Sequence, residues 1–182
     1  MTEHLIISGF GGQGIMFLGK LIAWSAMRES RFVTFLPAYG AEVRGGTSNC
    51  SIVISDKEIA SPCVDIFDTL IAMNGPSLEK FSPLARKGAD IFVNSSMVDD
   101  LKETKGIYWH SIPFTDIALK LGNPRAANMV ALGTYLAKKN ILSVENIIAT
   151  LPEAFKNNQK LVQLNENAIK EGIKYGKSSL RP

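Results

Sequence analysis

The chain has 182 residues, 46% of them hydrophobic and 20% charged, with a formal net charge of +3. That length buries one substantial core and is short for two domains, so residues 1–182 read as a single domain. Lys and Arg are dispersed, and the richest region, toward the C-terminus, interleaves Glu153, Glu166 and Glu171. This pattern is that of a solvated helical face and argues against nucleic-acid binding.

The first element is an apolar strand, Leu5-Ile6-Ile7, that runs through Ser8-Gly9-Phe10 into the turn Gly11-Gly12-Gln13-Gly14 and then a helix from Ile15. Gly9, Gly11 and Gly14 satisfy G-x-G-x-x-G where a βαβ unit requires it. The first glycine permits a tight turn, the second lets a ligand approach the backbone, and the third lets helix and strand pack closely. Free amides and the positive end of the helix dipole then face a phosphate or carboxylate.

A dinucleotide site also needs an acid about 20 residues on, at the end of the second strand. That strand, Phe32-Val33-Thr34-Phe35-Leu36-Pro37, ends without one; Glu29 falls too early and Glu42 lies beyond a turn. Gly14 to Lys20 fits G-x-x-x-x-G-K, but Leu21 replaces the magnesium-binding Ser or Thr and the intervening residues are apolar helix, so a P-loop is rejected. The helix Ile15–Met27 is apolar almost all round and must be covered on several sides, by its own core or by another subunit. The run Leu5–Met27 is interrupted by five glycines and Lys20 and has no basic segment before it. It is read as neither a signal peptide nor a membrane span, with a cytoplasmic location expected.

Beyond Phe32–Leu36 comes the turn-rich polar segment Pro37 to Gly46, then a strand Ser48–Ile54, and a hairpin turn Ser55-Asp56-Lys57 leading into Glu58–Ser61. A hairpin makes the sheet mixed and not purely parallel. Thr69–Met73 reads as a strand, Pro76–Lys87 as a helix, Gly88-Ala89-Asp90 as a turn, and Ile91–Asn94 and Ile107–His110 as strands. Helices follow near Thr115–Leu121, Pro124–Lys139, Val144–Leu151 and Asn158–Lys174. The expected fold is a three-layer α/β/α arrangement with a mixed, mostly parallel sheet, a Rossmann-like N-terminal βαβ and a helical C-terminal end.

The catalytic inventory is thin. Cys50 and Cys63, the two cysteines, cannot by themselves hold an iron–sulfur cluster or structural zinc, and they are expected as reduced, semi-buried thiols. His4 and His110 are isolated and read as structural. There is no Ser-His-Asp or G-x-S-x-G pattern, so no catalytic residue and no metal ligand is assigned.

Four blocks carry a family resemblance: Gly9 to Ile15; Pro37-Ala38-Tyr39-Gly40-Ala41-Glu42-Val43-Arg44-Gly45-Gly46-Thr47-Ser48-Asn49-Cys50; Ala72 to Phe81; and Asn123-Pro124-Arg125-Ala126-Ala127-Asn128-Met129. The chain resembles the gamma subunit, or equivalent domain, of 2-oxoacid:ferredoxin (acceptor) oxidoreductases, most like the 2-oxoglutarate type, with the pyruvate and indolepyruvate types as alternatives. The resemblance implies a hetero-oligomeric oxidoreductase that makes acyl-CoA, carbon dioxide and reduced ferredoxin or another acceptor. It also implies that thiamine diphosphate and iron–sulfur clusters sit in partner subunits, thiamine-binding alpha/beta-type and iron–sulfur respectively, while this chain is inactive alone. Carried onto this sequence, Gly9, Gly11, Gly12, Gln13 and Gly14 become candidates for a phosphate of coenzyme A at a subunit interface, with Arg44, Gly45, Gly46 and Thr47 beside them. Glu42 and Arg44 would share one face if their segment is extended, where an ion pair is equally open, and Gly45 and Gly46 serve a turn as readily. Asn123, Arg125 and Asn128 read first as capping and orientation at a helix start. The competing readings are a self-sufficient nucleotide- or flavin-binding oxidoreductase, for which the ribose acid is missing, and a scaffold whose glycine turn binds nothing.

Overall fold

The structure, a computed structural model, describes residues 1–38 and 47–178. Six strands form one sheet: β1 (Thr2–Phe10), β2 (Phe32–Ala38), β3 (Thr47–Ser55), β4 (Phe67–Ala72), β5 (Ala85–Asn94) and β6 (Tyr108–Ile112). Their spatial order is β2-β3-β1-β4-β5-β6. From β1 outward through β4, β5 and β6 every pairing is parallel, whereas β3 is antiparallel to both β1 and β2. The sheet is therefore mixed and mostly parallel. β1 and β2 run the same way, joined by the helix α1 (Ile15–Arg28), but β3 stands between them.

Strand alternation sorts the core into two layers. Leu5, Ile7, Cys50, Ile52, Ile54, Ile71 and Phe92 face α1 and the helices α3 (Phe114–Lys120), α4 (Ala127–Lys139), α5 (Val144–Ala154) and α6 (Gln159–Ser178). Ile6, Leu70, Ala72, Ile91 and Val93 face the other way, against Leu78 and Phe81 of the short helix α2 (Gly75–Phe81). α1 buries Leu18, Leu21, Ile22 and Ala26 in the first layer and leaves Trp24 and Met27 exposed. α4 and α6 approach so closely that a β-carbon on Gly172 would lie 2.1 Å from the Val130 carbonyl oxygen, and one on Gly133 equally close to that of Ile169.

The expected architecture is present, with three local corrections. No strand forms over Glu58–Ser61, which is mostly exposed. Both edges of β3 are already taken by β1 and β2, so a returning strand has no edge to pair with, and the antiparallel element is β3 itself. The helix expected over Pro76–Lys87 stops at Phe81 and continues as a 3-10 turn, Ser82–Leu84, because Pro83 supplies no N–H for another α-helical bond. Gly88-Ala89-Asp90 lie inside β5, where Gly88 adopts φ 82° at a register irregularity instead of making a turn. No helix among the described residues is long and apolar enough to cross a membrane.

Candidate site at the C-terminal edge of the sheet

The parallel strands β1, β4 and β5 end on the same side, and the glycine turn begins where β1 stops. Each glycine stands there for a different reason. A β-carbon on Gly9 would lie 2.5 Å from Gln13 Oε1 and 2.7 Å from the Ile15 side chain. On Gly14 it would meet Asn128 Nδ2 at 2.3 Å, and the backbone there has φ 73°. Gly12 has open space but φ 91°. Gly11 has neither crowding within 4 Å nor a positive φ among the described residues. Packing and backbone geometry thus account for three of the four.

Gly14 is the N-cap of α1, with no side chain capping it and no acid in the first turn. The first intrahelical bond, Leu18 N–H to Gly14 O at 2.9 Å, leaves the preceding amides aimed out of the helix end. This end combines unpaired donors with the positive pole of a 14-residue helix.

Gln13, half-buried at the edge of the second hollow, is held by hydrogen bonds. Its Oε1 accepts from Phe10 N–H at 2.7 Å and Asn74 Nδ2 at 3.1 Å, and its Nε2 donates to the Met73 carbonyl at 3.4 Å. Asn94 Nδ2 donates to the same carbonyl at 3.2 Å and to Thr115 Oγ1 at 2.9 Å. Asn74 caps α2 through Ser77 N–H at 3.0 Å. These bonds stiffen the turn from below. From above, Asn128 Nδ2 donates to Gly14 O at 3.2 Å, tying the first turn of α4 to the turn.

Two hollows of about 260 Å³ each open on either side of Gly12 and Arg125, which both share. The first is walled by Phe17, Phe155 and Leu161 with Asn128 and Asn165; the two phenyl rings pack at 4.9 Å between centroids. The second is walled by Met73, Met97, Pro124 and Thr115. The Arg125 guanidinium is exposed and has no ion-pair partner among the described residues.

Of the residues named from sequence, Gly11, Gly12 and Gly14 come together with the helix end, Gln13 lines the second hollow while its hydrogen bonds hold the turn, and Gly9 supports them from behind. Arg44, Gly45 and Gly46 lie outside the described residues, as does Glu42. Thr47 opens β3 and its backbone pairs with Phe10, one residue before the turn. Asn123 caps as expected, accepting from Arg125 N–H at 3.0 Å. Asn128 instead braces the turn, and the Arg125 side chain faces both hollows. Sequence reading missed Phe17, Asn74, Asn94, Phe155 and Asn165. Of these, the Asn74-Gly75-Pro76 cap signal alone was open to local inspection.

The two carboxylates with shifted behaviour, Glu3 and Asp90, lie away from the turn. Glu3 is buried, and burial pushes its carboxyl up despite a hydrogen bond from Thr69 and the nearby Lys139 charge. For Asp90 burial also acts upward and is the largest single influence, but hydrogen bonds from His110 at 2.8 Å and Lys139 at 3.0 Å, with their charges, bring the net shift downward. His4 pairs with Asp68 at 3.0 Å. Both histidines are thus bound to structural carboxylates, and no metal-holding group of His, Cys, Asp and Glu occurs among the described residues. The cysteines differ from the semi-buried expectation. Cys50 is fully buried, its thiol pushed up to about 12 by burial, and Cys63 is exposed.

The topology also bears on the nucleotide reading. With β3 inserted, an acid at the tip of β2 would stand one strand farther from the turn than in a dinucleotide-binding βαβ.

Residues 4–175 match the family described as pyruvate ferredoxin/flavodoxin oxidoreductase. The ketoisovalerate oxidoreductase subunit VorA of Methanothermobacter marburgensis is 34% identical over 96% of this chain and 36% of its own length. The 2-oxoglutarate synthase subunit KorC of Methanocaldococcus jannaschii is 33% identical over 81% of this chain and 80% of its own. Among solved structures, the keto/oxoacid ferredoxin oxidoreductase gamma subunit of Geobacter sulfurreducens superposes with a TM-score of 0.85 at 25% identity, covering 97% of this chain and 99% of that one. The 2-oxoglutarate:ferredoxin oxidoreductase of Magnetococcus marinus, solved with 2-oxoglutarate, coenzyme A and succinyl-CoA bound, has the same fold, with a TM-score of 0.90 at 24% identity over 100% of this chain and 32% of that one. The chain thus spans about a third of the length of the VorA relative and most of the length of KorC. On the family match and these identities, the chain belongs to the pyruvate ferredoxin/flavodoxin oxidoreductase family.

Proposed function

We propose that this chain is the gamma component of a multi-subunit 2-oxoacid:acceptor oxidoreductase and that its part is assembly and the handling of coenzyme A. The observation that carries the coenzyme A role is the uncapped end of α1 beside Gly11, Gly12 and the unpaired Arg125, with a hollow on each side. Backbone donors, a helix pole and a guanidinium suit a phosphate and supply no nucleophile or redox group. Thiamine diphosphate would supply the decarboxylation chemistry and iron–sulfur clusters the electron path to ferredoxin or a similar acceptor, both from partner subunits. The residues of this chain then bind and orient the thiol substrate.

The 2-oxoacid is 2-oxoglutarate in this reading. A branched-chain oxoacid is the second reading, because the ketoisovalerate relative is as similar as the 2-oxoglutarate one. The test is native mass spectrometry of the untagged protein from its own cells, followed by turnover assays with each oxoacid, coenzyme A and a viologen acceptor. Thiamine-binding and iron–sulfur subunits are expected to accompany the chain. Oxoacid oxidation by the isolated chain would refute the proposal, and faster turnover of 2-oxoisovalerate than 2-oxoglutarate would select the second reading.

A further inference from the structure

β2 is an edge strand, and no described strand pairs with its outer side. Natural edges are guarded by charge, by bulges or by a covering element. The stretch Phe32-Val33-Thr34-Phe35-Leu36 has no charged residue, and its pairing with β3 runs without a bulge. Phe35 lies against Gly19 of α1, so by alternation Phe32, Thr34 and Leu36 face away from that helix. Phe32 is 46% exposed and Leu36 42%. On the helix side the row Gly19, Ala23 and Met27 runs beside the strand and ends in a Met27 that is 63% exposed. Apolar surface thus flanks an open strand edge on both faces.

The strand is also its own complement. In an antiparallel pair of two copies centred on Thr34, Phe32 stands opposite Leu36, Val33 opposite Phe35 and Thr34 opposite Thr34, with no like charges facing each other. A two-fold contact of this kind uses the same patch on both partners. The Thr34 hydroxyl is shut off from water and has no hydrogen-bond partner in the single chain, a costly state for a polar group. Across the two-fold, a turn about χ1 lets the two hydroxyls bond to each other. At ~3.3 Å per residue β2 is about 23 Å long, and α1, the sheet and the side chains beneath it stand about 25 Å high. That footprint, about 600 Å² per partner and about 1,200 Å² in total, clears the ~1,000 Å² of a specific interface and sits at its weak end. We propose that β2 pairs antiparallel with β2 of a second copy of this chain, joining two sheets edge to edge about a two-fold axis at Thr34. The contact is separate from the glycine turn and forms whether or not coenzyme A binds there.

Sedimentation velocity of the full chain over a concentration series is expected to show a monomer–dimer equilibrium in the micromolar range. Phe32→Glu and Leu36→Lys, both at exposed positions, are each expected to raise the dimer Kd about tenfold or more. Mixing the two variants, or joining them in one chain, is expected to bring dimerisation back, since the register sets each new acid opposite a new base. Should charge at the edge unfold the chain, Thr34→Cys combined with Cys63→Ser tests the same axis. Treated with diamide it is expected to form a covalent dimer, because residues facing across an antiparallel pair stand about 4.5–5.5 Å apart at Cα, within disulfide reach. A wild-type chain that stays monomeric at every concentration, a dimer indifferent to either charge, or a charge pair that dimerises no better than the single variants overturns the proposal. So does protection of β2 from hydrogen exchange that appears only when partner subunits are added, which assigns the edge to one of them.

Discussion

Replacing each glycine of the turn by alanine separates what the fold needs from what a ligand needs. At Gly9 the new methyl displaces Gln13 Oε1 and the Ile15 side chain, which lie 2.5 and 2.7 Å away. Overpacking of about 1–3 kcal/mol combines with loss of the Gln13 bonds at about 1 kcal/mol each. At Gly14 the φ of 73° costs about 1–2 kcal/mol, and the contact with Asn128 disturbs a further hydrogen bond. At Gly12 only the φ of 91° opposes the change. Gly11→Ala meets neither penalty and is expected within about 0.5 kcal/mol of wild type, helped by a less flexible unfolded chain.

In a chain of this size each kcal/mol moves Tm by about 2–4 °C. Thermal melts are therefore expected to fall about 6–20 °C for Gly9→Ala, somewhat less for Gly14→Ala, about 2–8 °C for Gly12→Ala and under about 2 °C for Gly11→Ala. The same Gly11→Ala protein, assembled with its partners, is expected to lose coenzyme A affinity, because the space its methyl fills is needed by nothing else described. A loss of more than 5 °C in Gly11→Ala, or a tolerated Gly9→Ala, would refute the assignment of roles.

Three further outcomes follow from the interior. Lys139→Met is expected to destabilise by about 3–5 kcal/mol in urea unfolding, since it strands the buried Glu3 and Asp90 carboxylates. Asp90 and Glu3 bend the pH profile in opposite senses. The lowered Asp90 contributes stability that is present above its ordinary 3.8 and lost as pH falls through its folded value, whereas the raised Glu3 withdraws stability as pH rises from its ordinary 4.5 through its folded value. Asp90→Asn should flatten the acid limb of a stability series from pH 3 to 8, and Glu3→Gln should be neutral or stabilising at pH 7. Gly172→Ala is expected to lower the free energy of unfolding in urea by about 1–3 kcal/mol despite up to about 1 kcal/mol of gained helix propensity, because its methyl meets the Val130 carbonyl and must part α4 from α6.

Local chemistry made much of this fold readable. The Leu5–Ile7 run, the turn glycines and the apolar α1 form a contiguous pattern, and their strand-turn-helix arrangement follows from periodicity alone. What stayed hidden depends on pairing between distant segments. Nothing in Thr47–Ser55 says that it will take β1 and β2 as neighbours on its two sides, and so the Ser55-Asp56-Lys57 turn looked like a hairpin with a free edge to use. Gln13 illustrates the same limit within the site. Its place among turn glycines makes it a candidate, but the direction of its side chain is set by Asn74, 61 residues away, and by the Met73 carbonyl.

Arg125 shows the converse. In the sequence it follows Asn123-Pro124, where capping explains the neighbourhood and leaves no reason to single out the guanidinium. Asn123 does cap, and by accepting from the Arg125 amide it fixes the backbone of the turn that carries the Arg125 side chain between the two hollows. Asn128, three residues on, pins the same segment to Gly14. Capping residue, bracing residue and cation therefore act together to hold Arg125 beside Gly12 where the two hollows meet. A substitution of Asn123 by Ala should accordingly weaken coenzyme A binding without touching the ligand, and a normal KM in a variant that has lost the cap would separate the charge from its mount.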